Sequence, residues 1–170
     1  DGTLYTIRPG SLFECRKPAA SEVSGSQIKM ISGAVNVYTS ASSSTIDTDA
    51  ATTAIDHDSR VSVDVAPGDK TEVVSYRGRT TVSTGRESVV LGARERVAAA
   101  AGSRIISAKV VLPDSPQPTL PADNRIYDLK TGDQVDLKWT KVLEAVRYRL
   151  QIARSLLCVP DATEVDLDDR

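Results

Sequence analysis

Arg60-Val61-Ser62-Val63-Asp64-Val65-Ala66-Pro67-Gly68-Asp69 is the stretch whose reading decides the fold class of this chain. Three valines alternate with Ser62 and Asp64, and a Pro-Gly turn follows. Successive side chains of an extended strand point to opposite faces, so a β-branched residue at every second position marks a strand with one buried face. The alternation runs on to Gly102. Val74, Tyr76, Thr80 and Val82 fall on one face, with Ser75, Arg77, Arg79, Thr81 and Ser83 on the other and Gly78 as a break between them. The fold expected from this pattern is all-β, made of short stacked strands in a solenoid-like or roll-like arrangement.

Working outward, Leu4 to Ile7 and Leu12 to Cys15 read as strands around Pro9-Gly10, and Pro18 to Gly25 as a loop. Gln27 to Ile31 and Ala34 to Tyr38 flank Ser32-Gly33, which has the composition of a tight hairpin turn. Thr39 to Thr45 is nearly all Ser, Thr and Ala and reads as a loop without core residues. Strands resume at Thr52 to Ile55, Thr71 to Arg77, Thr80 to Thr84 and Ser88 to Leu91. Arg94 to Ala101 is alanine-rich, which favours helix, but it is short and bounded by Gly92 and Gly102, so strand is expected. Pro113, Pro116, Pro118 and Pro121 make an extended, semi-rigid linker, because proline fixes φ and removes an amide donor. Beyond it, Gln134 to Thr140 places Val135, Leu137 and Trp139 inward, and Ala145 to Ala153 places Tyr148, Leu150 and Ile152 inward.

Composition narrows the class further. The chain has 170 residues, enough for one domain or two small ones. Lys and Arg number 21 against 23 Asp and Glu, so no field exists that would imply nucleic acid as a partner. Arg77, Arg79, Arg86, Arg94, Arg96 and Arg104 nevertheless crowd the middle, and Asp161, Glu164, Asp166, Asp168 and Asp169 the end. Aromatic residues are sparse, so the core must rest on Val, Ile, Leu and Ala, which suits thin sheets or a stack. No run of about 18 apolar residues exists to span a bilayer, and no stretch of these residues reads as a signal peptide. The chain starts at Asp1 without methionine, which is expected of a processed product or an excised fragment. Cys15 and Cys158 read as small buried hydrophobes in different domains, and their redox state is left open.

Candidate chemistry is thin. The single histidine, His57, lies in Asp56-His57-Asp58, with Asp47 and Asp49 upstream. Such oxygens could hold calcium, which takes six to eight, but no Asp-x-Asp-x-Asp-Gly loop is present and the reading is of solvated acidic turns. Ser59 beside His57 and Asp58 is no triad, since neighbours on one strand cannot converge on a substrate. No phosphate-binding glycine loop occurs. Arg77 and Arg79 share a face that could meet an anionic glycan or lipid headgroup, or simply be solvated. Tyr5, Tyr38, Tyr127 and Tyr76 are the aromatics available for a sugar. No catalytic, cofactor-binding or metal-binding residue is expected, and the chain is read as not an enzyme.

Two resemblances add to this. Val61-Ser62-Val63-Asp64-Val65, Glu72-Val73-Val74-Ser75-Tyr76-Arg77-Gly78-Arg79-Thr80-Thr81-Val82 and Ser88-Val89-Val90-Leu91-Gly92-Ala93-Arg94-Glu95-Arg96-Val97 resemble the strands and closing turn of a FecR-type domain, over residues 1–108. Gly92-Ala93-Arg94 departs from the small-Gly pair usual at that turn, which leaves the register of the last strand open. Gly2-Thr3 is similar to the dipeptide at which some FecR-type regulators are self-cleaved. After a linker over 109–121, Val135-x-Leu137-x-Trp139-x-x-Val142-x-x-Ala145-x-x-Tyr148-x-Leu150-x-Ile152 resembles a fibronectin type III or Ig-like module over 122–170. That module is partial, since a full sandwich takes about 100 residues. The resemblances imply a non-catalytic structural or interaction module of the bacterial cell envelope, in the periplasm or outside the cell. Its partners would be other envelope proteins or copies of itself, with peptidoglycan reached only through a module outside this chain. Alternatives are a periplasmic signal-transducing domain of a FecR-like sigma-factor regulator, and a glycan-binding module.

Overall fold

In the computed structural model, which describes residues 2–16, 25–68, 70–103, 106–122, 134–143, 145, 147–152 and 163–168, Val61, Val63 and Val65 all face inward and are buried. They lie on β6 (Arg60–Ala66), which forms a hairpin with β7 (Lys70–Arg77) through Pro67-Gly68. The described residues contain strands and no helix, so the all-β expectation holds. Arg94 to Ala101 is the strand β10 (Glu95–Ala100), paired in unbroken register with β7 from Glu95 opposite Ser75 to Ala100 opposite Lys70.

The first compact unit covers 1–112. It is an eleven-stranded mixed sheet that includes β1 (Leu4–Ile7), β2 (Leu12–Arg16), β3 (Gly25–Tyr38), β4 (Ser43–Asp47), β5 (Thr52–Ile55), β8 (Thr80–Ser83), β9 (Ser88–Leu91) and β11 (Val110–Val111). The sheet curls into two halves. One carries β1, the second part of β3, β6, β7, β10 and β11. The other carries β2, the first part of β3, β4, β5, β8 and β9. Inward side chains of both halves merge into one core, with Met30, Ile46, Ile55, Val82 and Leu91 meeting Val35, Val37, Val61, Val63, Val73 and Val97. Each such side chain contributes roughly 1.5–3 kcal/mol on burial. The edges of the curled sheet meet through side chains, where Ile106 N–H donates to the Glu87 carboxylate at 2.8 Å and Lys109 Nζ donates to the Val90 carbonyl at 3.4 Å.

Several expectations change here. Ser32-Gly33 is not a hairpin turn. The residues on either side of it enter opposite halves of the sheet, β4 pairing with 25–29 and β6 with 33–38. β1 and β2 repeat this arch one layer further out along β3. The reason is a close approach: Gly33 has φ +91, and a Cβ there would lie 2.6 Å from Ser11 Cα. Ser11 Oγ donates to the Ala34 carbonyl at 3.2 Å and accepts the Ala34 N–H at 3.0 Å.

At the other end of the strands the chain crosses between halves at 39–42, 56–59, 78–79 and 92–94. Gly78 repeats the device, with φ +81, a virtual Cβ 2.8 Å from Ser59 Cα, and Ser59 Oγ bonded to both the carbonyl and the N–H of Arg79. Crossing at Gly78 shifts the alternation by one residue. Val73 and Ser75 face the core before it, and Thr80 and Val82 after it, so Val74 and Tyr76 lie outward rather than on the face of Thr80 and Val82. Thr39 to Thr45 is no loose loop either. Thr39 is buried, donating to the Asp56 carbonyl at 2.6 Å and accepting the Ser59 N–H at 2.9 Å, while Ser44 and Thr45 belong to β4. Hydroxyls that bond backbone groups let a sequence without large apolar residues build a crossing. Cys15 is exposed, not buried, because β2 lies at the margin of the sheet; Cys158 is outside the described residues.

The second unit covers 113–170. Its described strands form two ribbons, β12 (Pro118–Leu120) with β13 (Lys138–Trp139) and β14 (Arg147–Ile152) with β15 (Thr163–Asp168). Trp139 and Tyr148 pack as expected, ring centroids 5.8 Å apart and tilted 53°. Trp139 is only half-buried, however, and Val135 and Leu137 are exposed and outside any strand. Strand pairing around Trp139 is confined to residues 138–139 opposite Pro118 and Leu120, and Pro118 has no N–H to extend a ladder.

Candidate functional site

The outer face of the first half-sheet carries the most developed surface cluster among the described residues. Tyr38, at the end of β3, stands opposite Arg60, which begins β6 and stands opposite Arg77 at the end of β7. Between Arg60 and Val61 the β6–β7 register shifts. Arg60 pairs with Arg77 and Val61 with Ser75, so Tyr76 is the extra residue of a bulge. A bulge re-aims a side chain. Here both tyrosine rings flank one guanidinium: Arg60 Cζ lies 5.2 Å from the Tyr38 centroid and 5.5 Å from that of Tyr76. Cation–π contact of this kind is worth about 0.5–1 kcal/mol at an exposed site. Tyr76 is 45% exposed. Beside it Arg77 Nη2 meets Asp58 Oδ2 at 2.8 Å.

The acidic residues read from the sequence are not gathered. β5 separates Asp47 and Asp49 from the Asp56–Asp58 crossing. Asp47 accepts from Gln27 and Thr52 at 2.8 Å, and Asp49 pairs with Lys29 at 3.2 Å. Asp56 and His57 act through their backbones, the Asp56 N–H donating to the Arg79 carbonyl and the His57 carbonyl accepting from Ser59 Oγ. Asp58 takes φ 52 and donates its N–H to the Ser40 carbonyl. Among the described residues no group of three or more His, Cys, Asp or Glu side chains is placed to hold a metal ion. Ser59 is buried within the crossing. Arg77 and Arg79 do not continue one strand, since Gly78 turns the chain between them. Gly2 packs against Ser40, 3.1 Å from its virtual Cβ to Ser40 Cβ. Of the tyrosines, Tyr5 is tied to Ser44 Oγ at 2.7 Å, and Tyr127 lies outside the described residues.

At the last crossing Arg94 takes the left-handed conformation, φ 63. Glu95 steadies the turn. The Gly92 N–H donates to its carboxylate at 2.8 Å and Lys109 Nζ at 3.1 Å, and these two bonds hold its pKa below the ordinary carboxylate value.

No protein-family model matches the chain, and no curated protein matches it. Two crystal structures of a protein from Parabacteroides distasonis, described as a candidate anti-sigma factor, share its fold with a TM-score of 0.53 at 16% sequence identity. The likeness covers 66% of this chain and 52% of that one, so this chain matches about half the length of that protein. At this identity the likeness is one of fold. Sequence reading had singled out Tyr38, Tyr76 and Arg77 but missed Arg60, whose partners are set by register and by a bulge that no local pattern announces.

Proposed function

We propose that this chain is a non-catalytic interaction module of the bacterial cell envelope, a FecR-type domain followed by a fibronectin type III-like module, that holds another envelope protein. The observation that supports this is the row Tyr38–Arg60–Tyr76, in which Arg60 and Tyr76 are exposed and Tyr38 is half-buried. Tyrosine and arginine are the side chains that dominate protein–protein hot spots, and the neighbouring charged groups serve the fold rather than a reaction. The test is a photo-crosslinking residue placed at Arg79, next to the row, and another at Arg86, on the β8–β9 turn. A discrete envelope protein captured from position 79 and not from 86 is the expected result. Equal capture from both, or none from either, counts against the reading.

A second reading has its own support in the fold shared with a candidate anti-sigma factor. In it the module sits in the periplasm and relays a signal to a sigma factor. Deleting the module should then change the transcription of a defined set of genes, whereas a purely structural module leaves transcription unchanged. The glycan-binding alternative is disfavoured because a face of the Tyr38 ring and a face of the Tyr76 ring are already turned to Arg60.

A further inference from the structure

We propose that Arg60 is a pre-set receptor for a carboxylate, and that the partner segment docking on the Tyr38–Arg60–Tyr76 row is acidic. The inference rests on the protein-interaction reading above and names the chemistry of the partner. Among the described residues, four ion pairs have both partners in place, and in each the cation is Lys29, Arg77, Arg96 or Lys109. Arg60 belongs to none of them. Its contacts are the two rings, at 5.2 and 5.5 Å.

Ring faces restrain a guanidinium without using its N–H donors or cancelling its charge. A free arginine on a strand loses side-chain entropy when it binds, and one already held between rings loses less. The planar fork that remains matches a carboxylate through two parallel hydrogen bonds. The bulge at Tyr76 is the element that brings the second ring to Arg60, so the arrangement is specified by the backbone and not by chance rotamers. Arg79, exposed on the adjoining crossing, adds to the positive field, while Asp58, two residues before Arg60 in the chain, is engaged by Arg77. Charge complementarity therefore selects an acidic occupant. A sugar would need to stack on the rings that Arg60 occupies, and a lipid headgroup would need a wider cationic surface than one half-sheet row offers.

The probe is a fluorescein-labelled octaglutamate peptide, with octaglutamine and polygalacturonate as comparators, read by fluorescence anisotropy on the full chain. Octaglutamate is expected to bind and octaglutamine not to, and binding should vanish near about 1 M salt, where the Debye length is about 3 Å. R60K keeps the charge but loses the fork, and should weaken binding by about tenfold or more, as should R60Q. Y76L should weaken it several-fold by releasing Arg60. R86Q removes a charge from the distant β8–β9 turn and should stay within about twofold of the parent. Circular dichroism confirms that each variant is folded. Equal affinity for R60K and the parent, equal losses for R86Q and R60Q, polygalacturonate binding as tightly as the peptide, or no peptide binding would each overturn the inference. If crosslinking from position 79 still captures a discrete envelope protein when the peptide result fails, only the carboxylate receptor falls. If the peptide result holds and crosslinking captures nothing, it is the envelope-partner reading that falls.

Discussion

Replacing Gly78 with alanine tests the crossing device, and Gly85 supplies its control. The two glycines have almost the same backbone, φ +81 and +82, so the conformational penalty on an L side chain is common to both. That penalty is about 1–2 kcal/mol for the left-handed region, offset by about 0.4–1 kcal/mol from the less flexible unfolded chain. Gly85→Ala should therefore cost about 1 kcal/mol, because nothing lies within 4 Å of its virtual Cβ. At Gly78 the same Cβ falls 2.8 Å from Ser59 Cα, a backbone atom that cannot swing away. Overpacking of this kind costs about 1–3 kcal/mol. Pushing Ser59 back also strains the two bonds its hydroxyl makes to Arg79, at 3.3 and 3.4 Å, each worth about 0.5–1.5 kcal/mol when made well. Gly78→Ala should then cost about 3–5 kcal/mol. Urea unfolding followed by far-ultraviolet circular dichroism gives both values on one scale. If the two variants lose the same stability within about 0.5 kcal/mol, the close approach of Ser59 is not what requires glycine, and the account of the crossings is wrong.

Arg94→Gly should stabilise the first unit by about 0.5–1 kcal/mol, since glycine takes φ 63 without the strain of about 1–2 kcal/mol and this exceeds the extra unfolded-state entropy of glycine, about 0.4–1 kcal/mol; a lower urea midpoint would show that the arginine side chain outweighs the strain. Glu95 has a depressed folded pKa, so the stability it contributes is present above the unfolded carboxylate value, roughly 4.3, and is lost as pH falls through the lower folded value. Glu95→Gln should flatten the pH dependence of stability in that acid window, and an unchanged profile would refute the assignment. Tyr148→Phe keeps the ring beside Trp139 but removes the hydroxyl that accepts the Val142 N–H at 2.9 Å, and should cost about 1 kcal/mol in the second unit. The fluorescence of the single tryptophan reads that transition, and its half-buried ring should be quenched by acrylamide; a fully protected emission would restore the deeper core first expected from the alternation.

The strands of the 52–100 region were legible because a period of two with valine on one face has one structural meaning. Thr52 to Ile55, Val61 to Val65 and Ser88 to Leu91 sit on strands whose bounds agree to a residue or two. The misreadings share a cause. Ser32-Gly33 looks like a hairpin, Thr39 to Thr45 like a loop, and Val74 to Val82 like one continuous alternation. In each case the chain passes between the two halves of the curled sheet, and a crossing is stabilised by what packs on it from elsewhere: Ser11 on Gly33, Ser59 on Gly78, Asp56 and Ser59 on Thr39.

The second unit shows the converse. Trp139 and Tyr148 were legible as a pair because aromatic residues on consecutive extended segments meet across them. Their half-exposed setting was not, because burial depends on neighbours supplied from other segments, and Val135 and Leu137 on the same alternating run stay exposed. Local alternation thus determined that this protein is built of strands, where most of them run and which residues could fill a core. Only the tertiary structure decided which half of the sheet each strand enters, where the alternation shifts, and that Arg60 stands between Tyr38 and Tyr76. Periodicity is a property of adjacent residues, whereas register, bulges and crossings are chosen by contacts between segments tens of residues apart.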